Sequence, residues 1–298
     1  MIAWVTFTVL FMGLIILAGF AGGKLPRMVA WLMVVSAVGV MHWVALDAVG
    51  WLRMFWICTV LLAGMKAITY REWCADGGRR LLWARWFMFA SVWVGMDPGA
   101  FVTRRRLKWR SHVWVGSGYL LAGLLGVWAC YELDVRNAAI LFIMISCAVH
   151  FGALRLSTAL FRMMGFSVGV LFKNPLKARG FKDFWGKRWN LAFSRMIART
   201  VKRPLVPIIG ERWSMFAVFV VSGLMHEVAI TVPVGAGYGL PTLFFVIHGV
   251  MCLVERRDTW RMALLCGVML IVGLPYLFNE KFVNEVILPT RDLIRFIT

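Results

Sequence analysis

The residues of this sequence best suited to chemistry are a histidine and a glutamate inside an apolar run. His226 and Glu227 lie within residues 213–232, where most other side chains are apolar or small. A charged group near the bilayer centre costs about 2.5–3.5 kcal/mol, so ionisable residues there usually face the protein interior and serve a function. On helical spacing Ser222 shares the face of His226, whereas Glu227 points about 100° away. The pattern indicates either a reactive imidazole or a structural hydrogen bond between helices.

The remaining histidines and the cysteines are weaker candidates. His248 lies in a second apolar run and is predicted to be a second pocket residue. His150 has no acidic neighbour and lies near the end of an apolar run. The six cysteines have no metal-ligand spacing, so no metal site is predicted.

A basic and aromatic segment precedes the histidine run. Residues 173–212 hold eleven Lys and Arg against Asp183 and Glu211, and aromatic and basic side chains alternate over 184–189. This alternation is typical of an amphipathic helix in the membrane interface. The same groups can hold phosphates, and Asn190 can donate a hydrogen bond to a polarised carbonyl. An interfacial anchor and a surface for an anionic substrate both fit the segment.

The composition requires a membrane to position these residues. Of 298 residues, 61% are hydrophobic, and the mean hydropathy is +0.78. Soluble domains are about 45–50% apolar. We therefore predict an all-α, polytopic transmembrane protein that forms a single membrane domain over 1–298. Eight runs have about the length of a span: 1–22, 28–46, 49–66, 112–131, 137–154, 213–232, 240–254 and 262–279.

The charges alternate between the ends of these runs. Basic groups including Lys66 and Arg71 follow the third run, 173–212 precedes the sixth, and the alternate connections are poor in Lys and Arg. The positive-inside rule then places the basic loops in the cytoplasm and both termini outside. The net charge of +19 indicates anionic lipid headgroups and a phosphate-bearing cosubstrate, and no nucleic acid. The run 81–96 contains Arg85 and is followed by Asp97-Pro98, which predicts a re-entrant or interfacial segment.

Two motifs together resemble the wax synthase branch of the membrane-bound O-acyltransferase (MBOAT) family. Asp183-Phe-Trp-Gly-Lys-Arg-Trp-Asn190 is similar to the family's Asp-Phe-Trp-Gly-Arg-Arg-Trp followed by His or Asn. Ser222-Gly-Leu-Met-His226-Glu227 follows and is similar to the family's Ser-Gly-x-x-His-Glu within a span. The sequence departs from the pattern at Gly180-Phe181, where Ser/Thr-Leu is common, and at Lys187, where Arg is common.

The resemblance implies an enzyme that moves a fatty acyl group from acyl-CoA to a lipid alcohol. It makes His226 the catalytic base and Asn190 its partner, with acyl-CoA as cosubstrate and no cofactor. The other motif residues and the second pocket histidine are then expected to bind acyl-CoA or the acceptor: Asp183, Trp185, Lys187, Arg188, Trp189, Ser222, Glu227 and His248.

Two alternatives remain open at the level of sequence. His226 and Glu227 also fit a proton relay in a transporter, and the fold can serve a non-catalytic lipid-binding protein. The catalytic hypothesis has a geometric condition. His226 lies about 20 Å along its helix from Trp213, whereas Asn190 belongs to the basic segment. The two can cooperate if 181–200 dips into the membrane or if the substrate spans the gap.

Overall fold

The computed structural model of the chain describes residues 11–13, 19–20, 25–257 and 259–296. Helices account for almost all the regular structure of these residues, and an isolated bridge joins Arg104 and Phe166. The helices are α1 (Arg27–Val44), α2 (Gly50–Ala75), α3 (Trp83–Phe87, continued by Met88–Val92), α4 (Arg110–Glu132), α5 (Ala138–Met163), α6 (Phe181–Lys187), α7 (Leu191–Val234), α8 (Leu240–Val254), α9 (Trp260–Leu277) and α10 (Glu280–Phe282, Val283–Ile287 and Leu288–Asp292 in series).

Six of the described helices are long and apolar enough to cross a membrane. They are α1, α2, α4, α5, α7 and α9, and α8 is a shorter apolar helix beside them. The all-α, polytopic fold predicted from composition is therefore confirmed. The predicted first span, 1–22, lies mostly outside the described residues.

The segment 81–96 forms the short helix α3 and an extended end. Its helical part, 83–92, is about 15 Å long, half the thickness of the hydrocarbon layer. Lys66 of α2 is fully buried and donates hydrogen bonds to the carbonyls of Phe89 (2.7 Å), Trp93 (2.6 Å) and Gly95 (2.5 Å). The assignment of Lys66 to a basic loop is therefore wrong, because α2 continues to residue 75 and the ammonium group is bound by the carbonyls of the segment 89–95.

Glycines set the distances between neighbouring spans. A Cβ on Gly123 of α4 would lie 2.2 Å from the backbone nitrogen of Ala148 in α5. A Cβ on Gly223 of α7 would lie 2.7 Å from the Cα of Thr242 in α8. Small residues of this kind let helix backbones approach closely inside a membrane.

Helix α7 folds back on itself at Gly210. This residue has φ 75° and ψ 168°, a conformation outside the helical region that glycine adopts readily. It divides α7 into a first limb, 191–209, and a second limb, 211–234. Met196 and Val201 of the first limb lie in the main apolar core, and Val218 of the second limb packs against that core. The two limbs therefore form a helical hairpin.

Candidate active site

The hairpin of α7 brings the asparagine motif to the histidine. Phe193 precedes Gly210 by 17 residues and His226 follows it by 16, so the two residues lie at similar distances from the bend. The ring of Phe193 is 5.9 Å from that of His226 between centroids. Asn190 lies three residues before Phe193, one helical turn along the same limb. The segment around residue 193 thus reaches the level of His226.

His226 is held through one ring nitrogen. Its Nδ1 lies 2.7 Å from the carbonyl oxygen of Ser222. A carbonyl only accepts, so Nδ1 carries a hydrogen, and in the neutral imidazole Nε2 then keeps its lone pair. The ring packs on Phe245 of α8 at 4.2 Å, and no described residue makes a hydrogen bond to Nε2. Ser222 acts here through its backbone, because its hydroxyl donates to the carbonyl of Val218 at 2.6 Å.

Glu227 joins α7 to α8. Its carboxylate accepts from the hydroxyl of Thr231 (2.7 Å) and from both the backbone N–H (2.9 Å) and the hydroxyl (2.8 Å) of Thr242. Thr242 is in the first turn of α8, where backbone N–H groups lack helical partners and a carboxylate is favourable. Glu227 therefore fixes the helix that carries Phe245 against His226.

Asn190 begins α7 in a left-handed conformation, with φ 40° and ψ 62°. Its Oδ1 accepts from the backbone N–H of Phe193 at 3.2 Å, which is an N-cap contact. The cap fixes the amide plane, and no described residue accepts from the amide nitrogen. Asn190 thus lies one helical turn from Phe193, whose ring contacts His226, and the side chains of Asn190 and His226 form no hydrogen bond with each other.

The charged pair of the motif holds the loop that precedes Asn190. Nε of Arg188 donates to Oδ2 of Asp183 at 2.6 Å, and Arg188 also donates to the carbonyl of Asn174 at 3.2 Å. Burial disfavours the charged form of Asp183. The hydrogen bonds from Arg188 and from the Arg179 N–H outweigh that effect, so the pKa of Asp183 lies below its usual value. Both side chains are thus engaged in the fold, and Lys187 stands exposed beside them.

Aromatic side chains surround the motif. Trp189 stacks on Phe184 with the rings 13° from parallel, and its ring lies 5.0 Å from Phe172 and 5.9 Å from His150. Trp185 meets Phe184 edge to face at 5.0 Å and lies against Phe245 and His248 of α8. His150 was a weak candidate because it has no acidic neighbour and lies near the end of an apolar run, and only the fold brings it to Trp189.

Trp185 and His248 form a pair of buried polar groups beside the catalytic candidates. Their ring centroids are 5.6 Å apart, and Trp185 also lies 5.3 Å from Phe245. His248 donates from Nδ1 to the carbonyl of Phe244 at 2.8 Å, which leaves Nε2 as an acceptor. This Nε2 and the indole Nε1–H of Trp185 are both buried without a partner among the described residues. One donor and one acceptor are therefore available within the aromatic cluster.

Residues 169–247, which contain both motifs, match the model of the membrane bound O-acyl transferase family. The resemblance to this family is confirmed. A long-chain-alcohol O-fatty-acyltransferase of Simmondsia chinensis is 37% identical over 101 residues, which cover 31% of this chain and 29% of the relative. A probable long-chain-alcohol O-fatty-acyltransferase of Arabidopsis thaliana is 34% identical over 134 residues, 41% of this chain and 38% of the relative. An acyl-CoA–sterol O-acyltransferase of the same plant is 41% identical over 63 residues, 19% of this chain and 18% of the relative.

The match to the O-acyltransferase family has a clear limit. The aligned stretches cover less than two fifths of each of these relatives. The family model covers residues 169–247, the part of the chain that carries the motif and the histidine. The activity and the substrates of the whole chain are therefore matters of proposal.

The departure at Gly180 from the O-acyltransferase pattern has a structural counterpart in Glu255, which the sequence analysis missed. The buried carboxylate of Glu255, just after α8, accepts from the backbone N–H groups of Phe181 (3.1 Å) and Lys182 (2.8 Å) at the start of α6. A Ser or Thr before the helix would supply such a cap from its own side chain. A Cβ on Gly180 would lie 1.8 Å from the Glu255 carboxylate.

We expect Gly180→Ala to lower the stability of the protein by about 1–3 kcal/mol, because the methyl group displaces a carboxylate that satisfies two buried donors. Thermal unfolding in detergent measures the change. Gly186→Ala is the matched control in the same helix, since its Cβ would meet nothing within 4 Å. The double variant Gly180→Ser with Glu255→Ala is expected to be more stable than Gly180→Ala, because the serine hydroxyl caps the helix in place of the Glu255 carboxylate. Equal unfolding temperatures for Gly180→Ala and Gly186→Ala would contradict the capping role of Glu255.

Proposed function

We propose that this chain is an acyl-CoA-dependent O-acyltransferase that moves a fatty acyl group to the hydroxyl of a lipid alcohol. The observation that carries the proposal is the geometry of His226. Its Nδ1 is engaged with the carbonyl of Ser222, and its Nε2 has no partner among the described residues. A neutral imidazole held in this tautomer suits a general base.

The chemical step follows from that base. Nε2 of His226 takes the proton of the acceptor hydroxyl as the oxygen attacks the thioester carbonyl. The carbonyl oxygen then carries negative charge, which the amide nitrogen of Asn190 stabilises by donating a hydrogen bond. The carbon–sulfur bond breaks, and the imidazolium returns the proton to the departing thiolate. The products are an ester and free CoA, and His226 is again neutral.

The buried indole N–H of Trp185 supports an alcohol as the acceptor. It can donate to the hydroxyl oxygen, which leaves the hydroxyl proton available to Nε2 of His226. The neighbouring Phe244 and Phe245 are apolar enough for a lipid chain. The names of the relatives point to two acceptor classes, a long-chain alcohol and a sterol.

The proposal includes an orientation in the membrane. The basic ends of the spans face the cytoplasm, where Lys187 is exposed at the motif and can attract the phosphates of CoA. Both termini then lie on the opposite side. The acceptor and the acyl chain occupy the apolar layer.

The direct test is ester formation by purified protein in lipid nanodiscs. Labelled acyl-CoA is supplied with a long-chain alcohol, a sterol or a diacylglycerol in parallel, and the lipid products are separated. We expect ester from one acceptor class well above the others, with the long-chain alcohol first. Replacing Trp185 by Phe is expected to raise KM for the alcohol without changing KM for acyl-CoA.

The same preparation separates the competing hypotheses. Absence of ester with every acceptor, together with proton-coupled uptake in liposomes, would make His226 part of a transport path. Absence of both would favour a lipid-binding protein without catalysis.

A further inference from the structure

A group of basic side chains without an acidic partner lies at the basic ends of α4 and α5. Arg155 and Arg162 belong to α5, and His112 belongs to the first turn of α4. The close approach of α4 and α5 at Gly123 and at Gly152, where a Cβ would lie 2.7 Å from the Cα of Leu120, places these groups side by side. Neither arginine forms an ion pair with a described residue.

Arg162 fixes the protonation of His112. It donates from Nε to the carbonyl of Val168 at 2.9 Å and from a terminal nitrogen to the carbonyl of Lys108 at 3.1 Å. The same terminal nitrogen lies 2.7 Å from Nε2 of His112. Because a guanidinium only donates, Nε2 must accept and the proton of His112 sits on Nδ1. This Nδ1–H is buried and has no partner among the described residues.

Arg155 adds a second unpaired donor. Its Nε–H is buried without a partner among the described residues, and its charge acts on both Arg162 and His112. The two unpaired groups, the Nε–H of Arg155 and the Nδ1–H of His112, are therefore both hydrogen-bond donors. They lie beside the positive charges of Arg155 and Arg162. Leaving buried donors unpaired is costly, and an anion with several acceptor oxygens satisfies them at once.

The cluster lies next to the motif. Phe151 packs its ring 6.4 Å from Trp189, the residue before Asn190. Arg155 follows Phe151 by four residues, which is one turn nearer to the basic end of α5 on a similar face. Arg188, the arginine of the motif itself, is already engaged by Asp183. Arg155 is thus better placed than Arg188 to take a new anion.

We propose that Arg155 and the Nδ1–H of His112 bind a phosphate group at the ends of α4 and α5. The phosphate belongs either to CoA or to the headgroup of an anionic lipid. The first source rests on the proposed function, and the second does not. In both cases the guanidinium and the imidazole N–H donate to phosphate oxygens, and Arg162 holds the imidazole in position.

The test measures binding to the full-length protein in nanodiscs, with Arg155→Gln as the main variant. One arm titrates free CoA by calorimetry, with pantetheine, which lacks phosphates, as the comparison. The other arm measures retention of phosphatidylglycerol by native mass spectrometry. Arg261→Gln is the control, because it removes the same charge from an exposed position at the start of α9. Arg155→Lys keeps the charge and loses the guanidinium geometry.

We expect Arg155→Gln to weaken one of the two ligands about tenfold or more, with Arg261→Gln close to wild type. Loss of CoA affinity alone identifies the cosubstrate as the source, and loss of phosphatidylglycerol alone identifies a lipid headgroup. If both affinities match those of Arg261→Gln, no phosphate is held by Arg155. Should Arg155→Gln fail to fold, Arg155→Lys carries the same test. Because binding is measured without turnover, a chain that forms no ester can still confirm or overturn the site.

Discussion

His226→Gln is expected to lower kcat for acyl transfer by about 10²–10⁴-fold, corresponding to about 3–5 kcal/mol of barrier. Glutamine fills a similar space but has no basic nitrogen to take the hydroxyl proton. The measurement is the rate of labelled ester formation at saturating acyl-CoA and alcohol. The affinity for CoA is expected to stay near wild type, because the imidazole acts on the reacting atoms.

The matched control is His42→Gln, which makes the same change in α1, away from the motif. It is expected to transfer acyl groups at close to the wild-type rate. An unchanged rate in folded His226→Gln protein would remove His226 as the base. Equal losses in the two variants would indicate a general effect of losing a membrane histidine.

Lys66→Met is expected to destabilise the protein by about 3 kcal/mol or more. Methionine matches the length of the lysine stem but offers no donor, so the carbonyls of Phe89, Trp93 and Gly95 lose their shared partner inside the core. The ammonium also lies over the ring of Phe89 at 4.2 Å, and that contact disappears. Thermal unfolding and limited proteolysis across residues 93–97 both measure the effect.

Lys177→Met provides the comparison for this variant, since Lys177 is exposed in the loop before α6. It is expected to unfold at the wild-type temperature. A Lys66→Met protein that unfolds and resists protease like Lys177→Met would show that the carbonyls find other donors and that α3 does not depend on the ammonium.

The histidine motif and the fold class could be predicted from the sequence because they depend on local composition. Each apolar run of span length can be recognised from its own residues, and an ionisable residue such as His226 is unusual within such a run. The position of the first limb of α7 could not be read in this way. Its basic residues suggested the cytoplasm, yet Ala192, Met196 and Val201 are buried in the core. Its apolar side is covered by protein, which hydropathy does not distinguish from lipid.

The roles of single polar residues were harder to predict because their partners are distant in sequence. Lys66 bonds to carbonyls 23 to 29 residues away, and Glu255 caps a helix 73 residues before it. Nothing in either neighbourhood indicates those contacts. Glu227, predicted to contact substrate, is engaged by Thr231 and Thr242. The angle of about 100° between Glu227 and His226 on their helix already favoured a role for Glu227 in orienting a neighbouring helix, and the fold identifies that helix as α8.

The interface between α7 and α8 limits the routes by which a lipid could reach His226 in the proposed reaction. Gly223 presses against Thr242, and a Cβ on Gly249 would lie 2.8 Å from the side chain of Phe219. Glu227 joins the same two helices near the level of His226. These contacts are distributed along the interface between α7 and α8, and they leave no room for an acyl chain between the two helices. In the proposed reaction, a lipid acceptor therefore has to reach the imidazole between a different pair of helices.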